Sequence, residues 1–203
     1  MKKTFWDRTA KIYDRFMQKD RKAYEQMYAL ICPTVEHKQV LELATGTGLI
    51  AKHIVSSADR IEATDASSEM IEQAKQGVCS SKLHFSVQDM FHLPYADNSF
   101  DVVIISNALH IVPNPEKALA EIKRVLKADG VLIAPTFTHA GNDFFGNIKA
   151  FLMKVVGFRQ YSKWSSESYL DFFREHGWKI QKSEVLNASF PLTYAECVKG
   201  ETL

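Results

Sequence analysis

The chain has 203 residues, 46% of them hydrophobic and 24% charged, which suits a single soluble globular domain with a sizeable core. Its 25 Lys and Arg balance 24 Asp and Glu, so the charge gives no sign of a nucleic-acid partner. No apolar run reaches 18 residues, the start "MKKTFWDRTA" has no signal-peptide core, and Cys32, Cys79 and Cys197 have no metal-binding spacing. The expectation is a cytoplasmic protein with free thiols, no metal site and no stable membrane attachment.

Phe5, Ile12, Tyr13, Phe16 and Met17 recur at a helical period, as do Tyr24, Met27, Tyr28 and Ile31. Pro33 is expected to end the second helix. Strands and helices then alternate. "QVLELA" (39–44) is a continuous apolar run, as in a strand buried on both faces. A helix follows from about Leu49. "RIEAT" (60–64) predicts a second strand, and 67–77 a helix capped by Ser67 or Ser68 and stopped by Gly77. "LHFSV" (83–87) and "DVVIIS" (101–106) are the third and fourth strands. Residues 114–130 read as a helix with Asn114 as N-cap, Pro115 as first residue and Gly130 as stop. "VLIAP" (131–135) is the fifth strand.

The last third departs from this rhythm. Residues 142–158 predict an apolar-rich helix, and 165–177 another, with Ser165 or Ser166 as cap. Residues 178–185 and 190–199 predict two strands whose short link makes them antiparallel. Together these segments predict a Rossmann-like α/β fold. Its sheet has seven mostly parallel strands with one antiparallel, helices cover both faces, and the crossovers are right-handed.

Ligands of such sheets bind outside the carboxyl ends of the strands, where strand order reverses. The turn Ala44, Thr45, Gly46, Thr47, Gly48 leaves the first strand there. Its glycines allow close backbone approach. Gly46 to Ala51 fits the G-x-G-x-x-G/A dinucleotide pattern, and Asp65 follows at about the distance expected of a ribose-binding acid. That pattern alone does not separate NAD from another adenosine ligand. Three features tilt the choice, the first of them toward a ligand with positive charge. Glu42 precedes the turn by two residues, and a buried carboxylate there needs a partner. Asp89 follows the third strand, placed to accept from an exocyclic amine, with Met90 to pack on a ring. No second nucleotide-sized half follows for a nicotinamide.

With those residues in place, the chain resembles the class I S-adenosylmethionine-dependent methyltransferases, most of all the quinone-biosynthesis and phospholipid N-methyltransferase group. "VLELATGTG" (40–48) resembles the family's first motif, and "ATDAS" (63–67) its second-strand acid. "LPYADNSFDVVIISNALHIVPNPEKALAEIKRVLKADGVLI" (93–133) resembles its long central block, and "FWDRTAKIYDRFM" (5–17) its N-terminal helix. The family motif often has Gly where this chain has Ala44.

The resemblance implies one domain over 1–203, with a helical lid at 1–36 and an insertion helix at 137–163 over the active site. It implies S-adenosylmethionine as cofactor, with S-adenosylhomocysteine as product. Glu42 and the backbone of Ala44, Thr45, Gly46, Thr47 and Gly48 would hold the methionine end. Asp65 would take the ribose hydroxyls, Ala66 and Met70 would flank the adenine, and Asp89 would accept from its amine with the Met90 N–H beside it. Asn107 would lie by the methyl group, and Tyr13 would close the site. His110, three residues past Asn107, is the leading candidate for a general base, with Tyr13 the other catalytic candidate and His139 a weaker one. The acceptor would be a small molecule, apolar or lipid- or quinone-like, the protein a monomer or homodimer. The rival readings are a non-catalytic cofactor-binding protein of this fold, a nucleic-acid methyltransferase and an NAD(P)-dependent oxidoreductase. "SNALH" follows strand four instead of the Asn/Asp-Pro-Pro-aromatic motif of amino-methylating DNA and protein enzymes.

Overall fold

The computed structural model describes residues 18–139 and 161–200. The parts of the predicted lid and insertion helix that fall at 1–17 and 140–160, Tyr13 among them, lie outside the described residues.

The first helix, α1 (Arg21–Val35), buries Ala23, Tyr24, Met27, Ile31 and Val35 along one face. It runs on through Pro33, where the sequence predicted its end. A proline loses its own N–H bond to the carbonyl four residues back and crowds that carbonyl with its ring. Only two helical residues follow it, and Ile31 and Val35 are fully buried on either side, so packing holds the last turn together.

Strand β1 (Gln39–Leu43) is central. It pairs in parallel with β2 (Arg60–Asp65) on one side and β4 (Phe100–Ile105) on the other. Beyond these lie β3 (Leu83–Val87), parallel to β2, and β5 (Leu126–Ile133), parallel to β4. The reversed strand is β8 (Leu192–Lys199), antiparallel to β5, to β7 (Trp178–Leu186) and to the two-residue β6 (Thr136–Phe137). The sheet has eight strands where the sequence predicted seven. The extra one, β6, continues the line of β5 along β8 after Pro135, which has no N–H to give the ladder. A mostly parallel sheet with one reversed strand is thus what forms.

Because side chains alternate across a strand, the sheet carries two cores. Leu41, Leu43, Val103, Ile105 and Leu132 face α4 (Pro115–Val125) and α5 (Ser166–Glu175). Val40, Ile61, Ala63, Val102 and Ile104 face α1 and the short α2 (Leu49–Ile54). A further helix, α3 (Ser68–Ala74), begins where the Ser67 hydroxyl accepts from the Met70 N–H at 3.2 Å. Ser165 caps α5 and forms a reciprocal capping box with Ser168.

Helix α4 stops at Val125, five residues short of the predicted boundary. Its last carbonyls are taken by the chain entering β4: Asn98 N–H donates to Arg124 O at 3.0 Å and Ser99 N–H to Val125 O at 2.8 Å. Leu126 then pairs with Phe100 and starts β5. Gly130 is therefore no helix stop. A Cβ there would lie 2.7 Å from Leu126 Cγ and 3.0 Å from Asp101 O. Asn114 caps α4 through its carbonyl, which accepts from Lys117 N–H at 3.1 Å, and not through its side chain. Among the described residues no helix is long and apolar enough to cross a membrane.

Candidate active site

The chain leaves β1 toward β2 on one side and reaches β4 on the other, so β1 marks the point where strand order reverses. At its carboxyl end lies a small cleft lined by Tyr24, Glu42, Ala44, Thr45, Leu49, Ile50, Ser106 and Asn107.

The glycine turn is largely closed on itself. Thr45 N–H donates to Thr64 O at 2.9 Å and Gly48 N–H to Thr45 O at 2.9 Å. Gly46 N–H donates to Asp65 Oδ2 at 2.8 Å. Ala44, Gly46 and Gly48 have φ of +52°, +57° and +79°, a left-handed path that folds the loop back over the strand ends. At Gly48 a Cβ would come within 2.9 Å of the Phe85 ring, so this turn also seats α2 against β3. The turn was expected to offer its N–H groups to a ligand. Three of them are engaged within the protein: two by the open carbonyl and the carboxylate of β2 alongside, the third by Thr45 O within the turn. That removes the row of free donors a pyrophosphate would require.

What the cleft does offer is acid. Glu42 is 2% exposed. Its Oε2 and the Thr45 hydroxyl are buried with no hydrogen-bond partner among the described residues. Burial pushes the Glu42 carboxyl up to about 8; the Thr45 hydroxyl, short of hydrogen-bond geometry, and the Ala51 N–H pull the other way, and the charge on Asp65 adds to the rise. An unpartnered buried acceptor of this kind is costly until a donor meets it.

The other predicted residues leave neighbouring strand ends. Asp65 closes β2; its Oδ1 accepts from Ser67 N–H at 2.9 Å while Oδ2 holds Gly46. Ala66 is exposed beside Asp65 and Met70 is buried. Gln88 N–H donates to Asp65 O at 3.0 Å, which ties the end of β3 to that of β2. Asp89 is exposed and caps the next turn, accepting from Phe91 N–H at 3.0 Å. Met90 packs on the core under α4.

Asn107 is clamped at both ends of its amide. Nδ2 donates to Tyr24 Oη at 3.1 Å, and Oδ1 accepts from Phe137 N–H at 3.0 Å. Its φ of +52° is one that Asn tolerates. Sequence reasoning missed four lining residues, Tyr24, Leu49, Ile50 and Ser106, and Tyr24 is the one that bonds a predicted site residue. It sits in the apolar stripe of α1 and reads as core, yet a tyrosine in such a stripe must bring its hydroxyl to a partner.

His110 is buried, with Nδ1 2.9 Å from Thr136 Oγ1. Burial, with the neighbouring His139, lowers it to about 4, so its ring is neutral at physiological pH. Its carbonyl accepts from Tyr161 and Ser162 N–H at 2.9 and 3.1 Å, and His139 N–H donates to Trp164 O at 2.9 Å. Residues 139 and 161–164 thus meet beside His110. His110 lies next to the cleft lining and is not part of it.

Residues 41–134 match the family profile described as a methyltransferase domain. A demethylmenaquinone methyltransferase of Thermotoga maritima is 32% identical over 158 residues, 74% of this chain and 68% of that protein. The chain belongs to the class I S-adenosylmethionine-dependent methyltransferases. A second demethylmenaquinone methyltransferase, of Renibacterium salmoninarum, is 38% identical over 105 residues, 52% of this chain and 44% of that protein. The chain spans less than half the length of this and two further curated relatives. The fold is that of the DhpI–SAH complex, with a TM-score of 0.75 at 23% identity over 98% of this chain and 95% of that one.

The cofactor of these methyltransferases can be tested against the residues present. S-adenosylmethionine carries an α-ammonium, a ribose diol and an adenine. The orphaned Glu42 Oε2 suits the ammonium, Asp65 at the end of β2 is an acid of the kind that takes a ribose diol, and three N–H groups of the glycine turn are already bonded within the protein and closed to a phosphate. The residues fit the methyltransferase cofactor better than they fit a dinucleotide.

Proposed function

We propose that this chain transfers a methyl group from S-adenosylmethionine to a small apolar acceptor of the quinone or lipid class. The observation that carries the cofactor half is the buried Glu42 carboxyl, its Oε2 unpartnered among the described residues, in a cleft whose glycine turn is already hydrogen-bonded. The acceptor half is supported by the names of the two relatives, both demethylmenaquinone methyltransferases.

Bound S-adenosylmethionine supplies a methyl carbon on a positively charged sulfur. The protein's part is alignment, which can provide roughly 7–11 kcal/mol of the barrier at best. Glu42 and Asp65 hold the two ends of the cofactor's sugar and amino-acid portion, with Ala66, Met70, Asp89 and Met90 around the base. Asn107, clamped by Tyr24 and Phe137, gives the mouth of β4 a fixed shape. A phenolic or carbon acid acceptor must lose a proton. His110, neutral and held by Thr136, is the side chain we assign to receive it, with Tyr13 the second candidate. Tyr13 and the 1–36 segment would cover the cofactor, and 137–163 the acceptor. The protein works in the cytoplasm as a monomer or homodimer, without nucleic acid.

Calorimetry with S-adenosylhomocysteine tests the reading first. The wild type is expected to bind one equivalent, and no binding would sink the proposal. Asp65→Ala is expected to lose that binding and also some thermal stability, because Gly46 and Ser67 N–H lose their acceptor. A panel of quinols, phenols, amines and thiols then finds the acceptor, and His110→Gln with the true acceptor reads the base: unchanged turnover removes it from that role.

A further inference from the structure

The buried acid in the cleft has a consequence for how the ligand is taken up. We propose that the free protein holds Glu42 as a neutral carboxylic acid and releases its proton when the ammonium of the cofactor's amino-acid end arrives, so that cofactor capture is coupled to proton release. This rests on the functional reading above.

Glu42 leaves β1 to line the cleft, it is buried, and its Oε2 has no partner among the described residues. The groups that face it are known element by element. From α1 comes Tyr24, from the turn Thr45, from α2 Leu49 and Ile50, and from the end of β4 Ser106 and Asn107. From the end of β2 the nearest charge is that of Asp65, which opposes a second anion. No Lys, Arg or His among the described residues lines this cleft. A carboxylate here has no cation among the described lining residues and only the Ala51 N–H to favour its charge, so burial, the main cause, keeps the proton on. An incoming ammonium supplies the missing charge and up to three donors. The O–H bond of Glu42 then breaks, the proton passes to solvent, and the carboxylate pairs with the ammonium. Charge and atoms balance, with one proton released per ligand bound.

A consequence is selectivity for the state of the ligand. A molecule with the adenosine portion and no ammonium leaves Glu42 protonated, and its binding is indifferent to pH in this range. The coupling also favours capture under mildly alkaline conditions and release under acid ones.

The experiment is calorimetry of the full chain in pairs of buffers with different ionisation enthalpies, between pH 6.5 and 7.5, using S-adenosylhomocysteine and 5′-methylthioadenosine as probes. With S-adenosylhomocysteine, close to one proton should be released, and affinity should rise roughly eightfold over that pH unit for a group titrating near 8. With 5′-methylthioadenosine, no proton should be released and affinity should stay level. Glu42→Gln should bind S-adenosylhomocysteine without proton release. Binding of S-adenosylhomocysteine by the wild type with no buffer dependence would overturn the coupling while leaving the methyltransferase reading intact. Equal proton release with both probes would overturn it too, since the ammonium would then not be the trigger. No binding of S-adenosylhomocysteine at all would remove the functional reading, and the coupling with it.

Discussion

Ala44 holds a φ of +52°, the left-handed region where a Cβ crowds the carbonyl that follows. That conformation costs a residue with a side chain about 1–2 kcal/mol. The loop accepts the cost because Thr45 N–H is fixed on Thr64 O directly after it. Glycine at this position would remove the strain and add about 0.4–1 kcal/mol of unfolded-state entropy. Ala44→Gly is therefore expected to stabilise the protein by up to about 1 kcal/mol, read as a shift in the urea midpoint at constant slope; a clear loss of stability would contradict this. The residues of this loop were legible in the sequence, since an acid, a small-residue turn and a second acid stand at telling distances. Where the N–H groups of the turn point was not, because their acceptors, Thr64 O and the Asp65 carboxylate, belong to another strand. Tyr24 was hidden for the converse reason. Its ring obeys the helical stripe, and only the fold shows that its hydroxyl reaches Asn107.

At the scale of elements, the misplaced boundary of α4 leads to a different residue. The pattern 114–130 is helical by periodicity throughout, so sequence alone could not see that the carbonyls of Arg124 and Val125 are claimed by Asn98 and Ser99. The side chain of Arg124 fastens the same junction. It donates to Glu121 through Nε and Nη2, both at 2.9 Å, to Asp97 at 2.9 Å, and to the carbonyls of Tyr95 and Leu93 at 2.7 and 3.0 Å. Glu121 in turn accepts from Leu93 N–H at 3.0 Å. One guanidinium thus pins the loop 93–97 onto the helix before β4 begins. The hydrogen bond from Arg124 holds the Glu121 carboxyl down to about 2. Its contribution is whole above about pH 4.5 and is lost as pH falls toward 2. Arg124→Ala leaves two carbonyls and a partly buried carboxylate without their donor, and hydrogen bonds to charged groups contribute about 1.5–3 kcal/mol each where desolvated. Allowing for exposure, a loss of roughly 2–4 kcal/mol in unfolding free energy is expected, with affinity for S-adenosylhomocysteine little changed. A loss below 1 kcal/mol would show that the loop is held by its apolar contacts instead.

For the molecule as a whole, the alternation of strands and helices was enough to read a parallel sheet with its site at the reversal point, because that inference needs only chain order and right-handed crossovers. What chain order does not show is the electrostatic balance of the folded state, which depends on two buried groups of opposite kind. Glu42 goes from about 4.5 unfolded to about 8 folded. An acid raised in this way favours the folded state at low pH, and that advantage is lost as pH climbs from 4.5 to 8, by about 1.4 kcal/mol per unit at most. His110 goes from 6.5 down to about 4. A base lowered in this way lends stability above 6.5 that is lost as pH falls toward 4, at the same limiting slope. The two slopes oppose one another between 4.5 and 6.5 and leave Glu42 alone to act between 6.5 and 8. Against a total of about 5–15 kcal/mol for an ordinary domain, either slope is large. The melting temperature of the free protein is therefore expected to be level from pH 5 to 6.5 and to decline from there to pH 8. Glu42→Gln should abolish the decline, and His110→Gln should turn the level region into a fall with rising pH. Saturating S-adenosylhomocysteine should lift the melting temperature more at pH 8 than at pH 6, since the ligand supplies the charge that Glu42 lacks. A melting temperature that holds level from 6.5 to 8 in the free wild type would mean that the acid ionises in the folded chain at no cost, and the coupling of cofactor capture to proton release would fall with it.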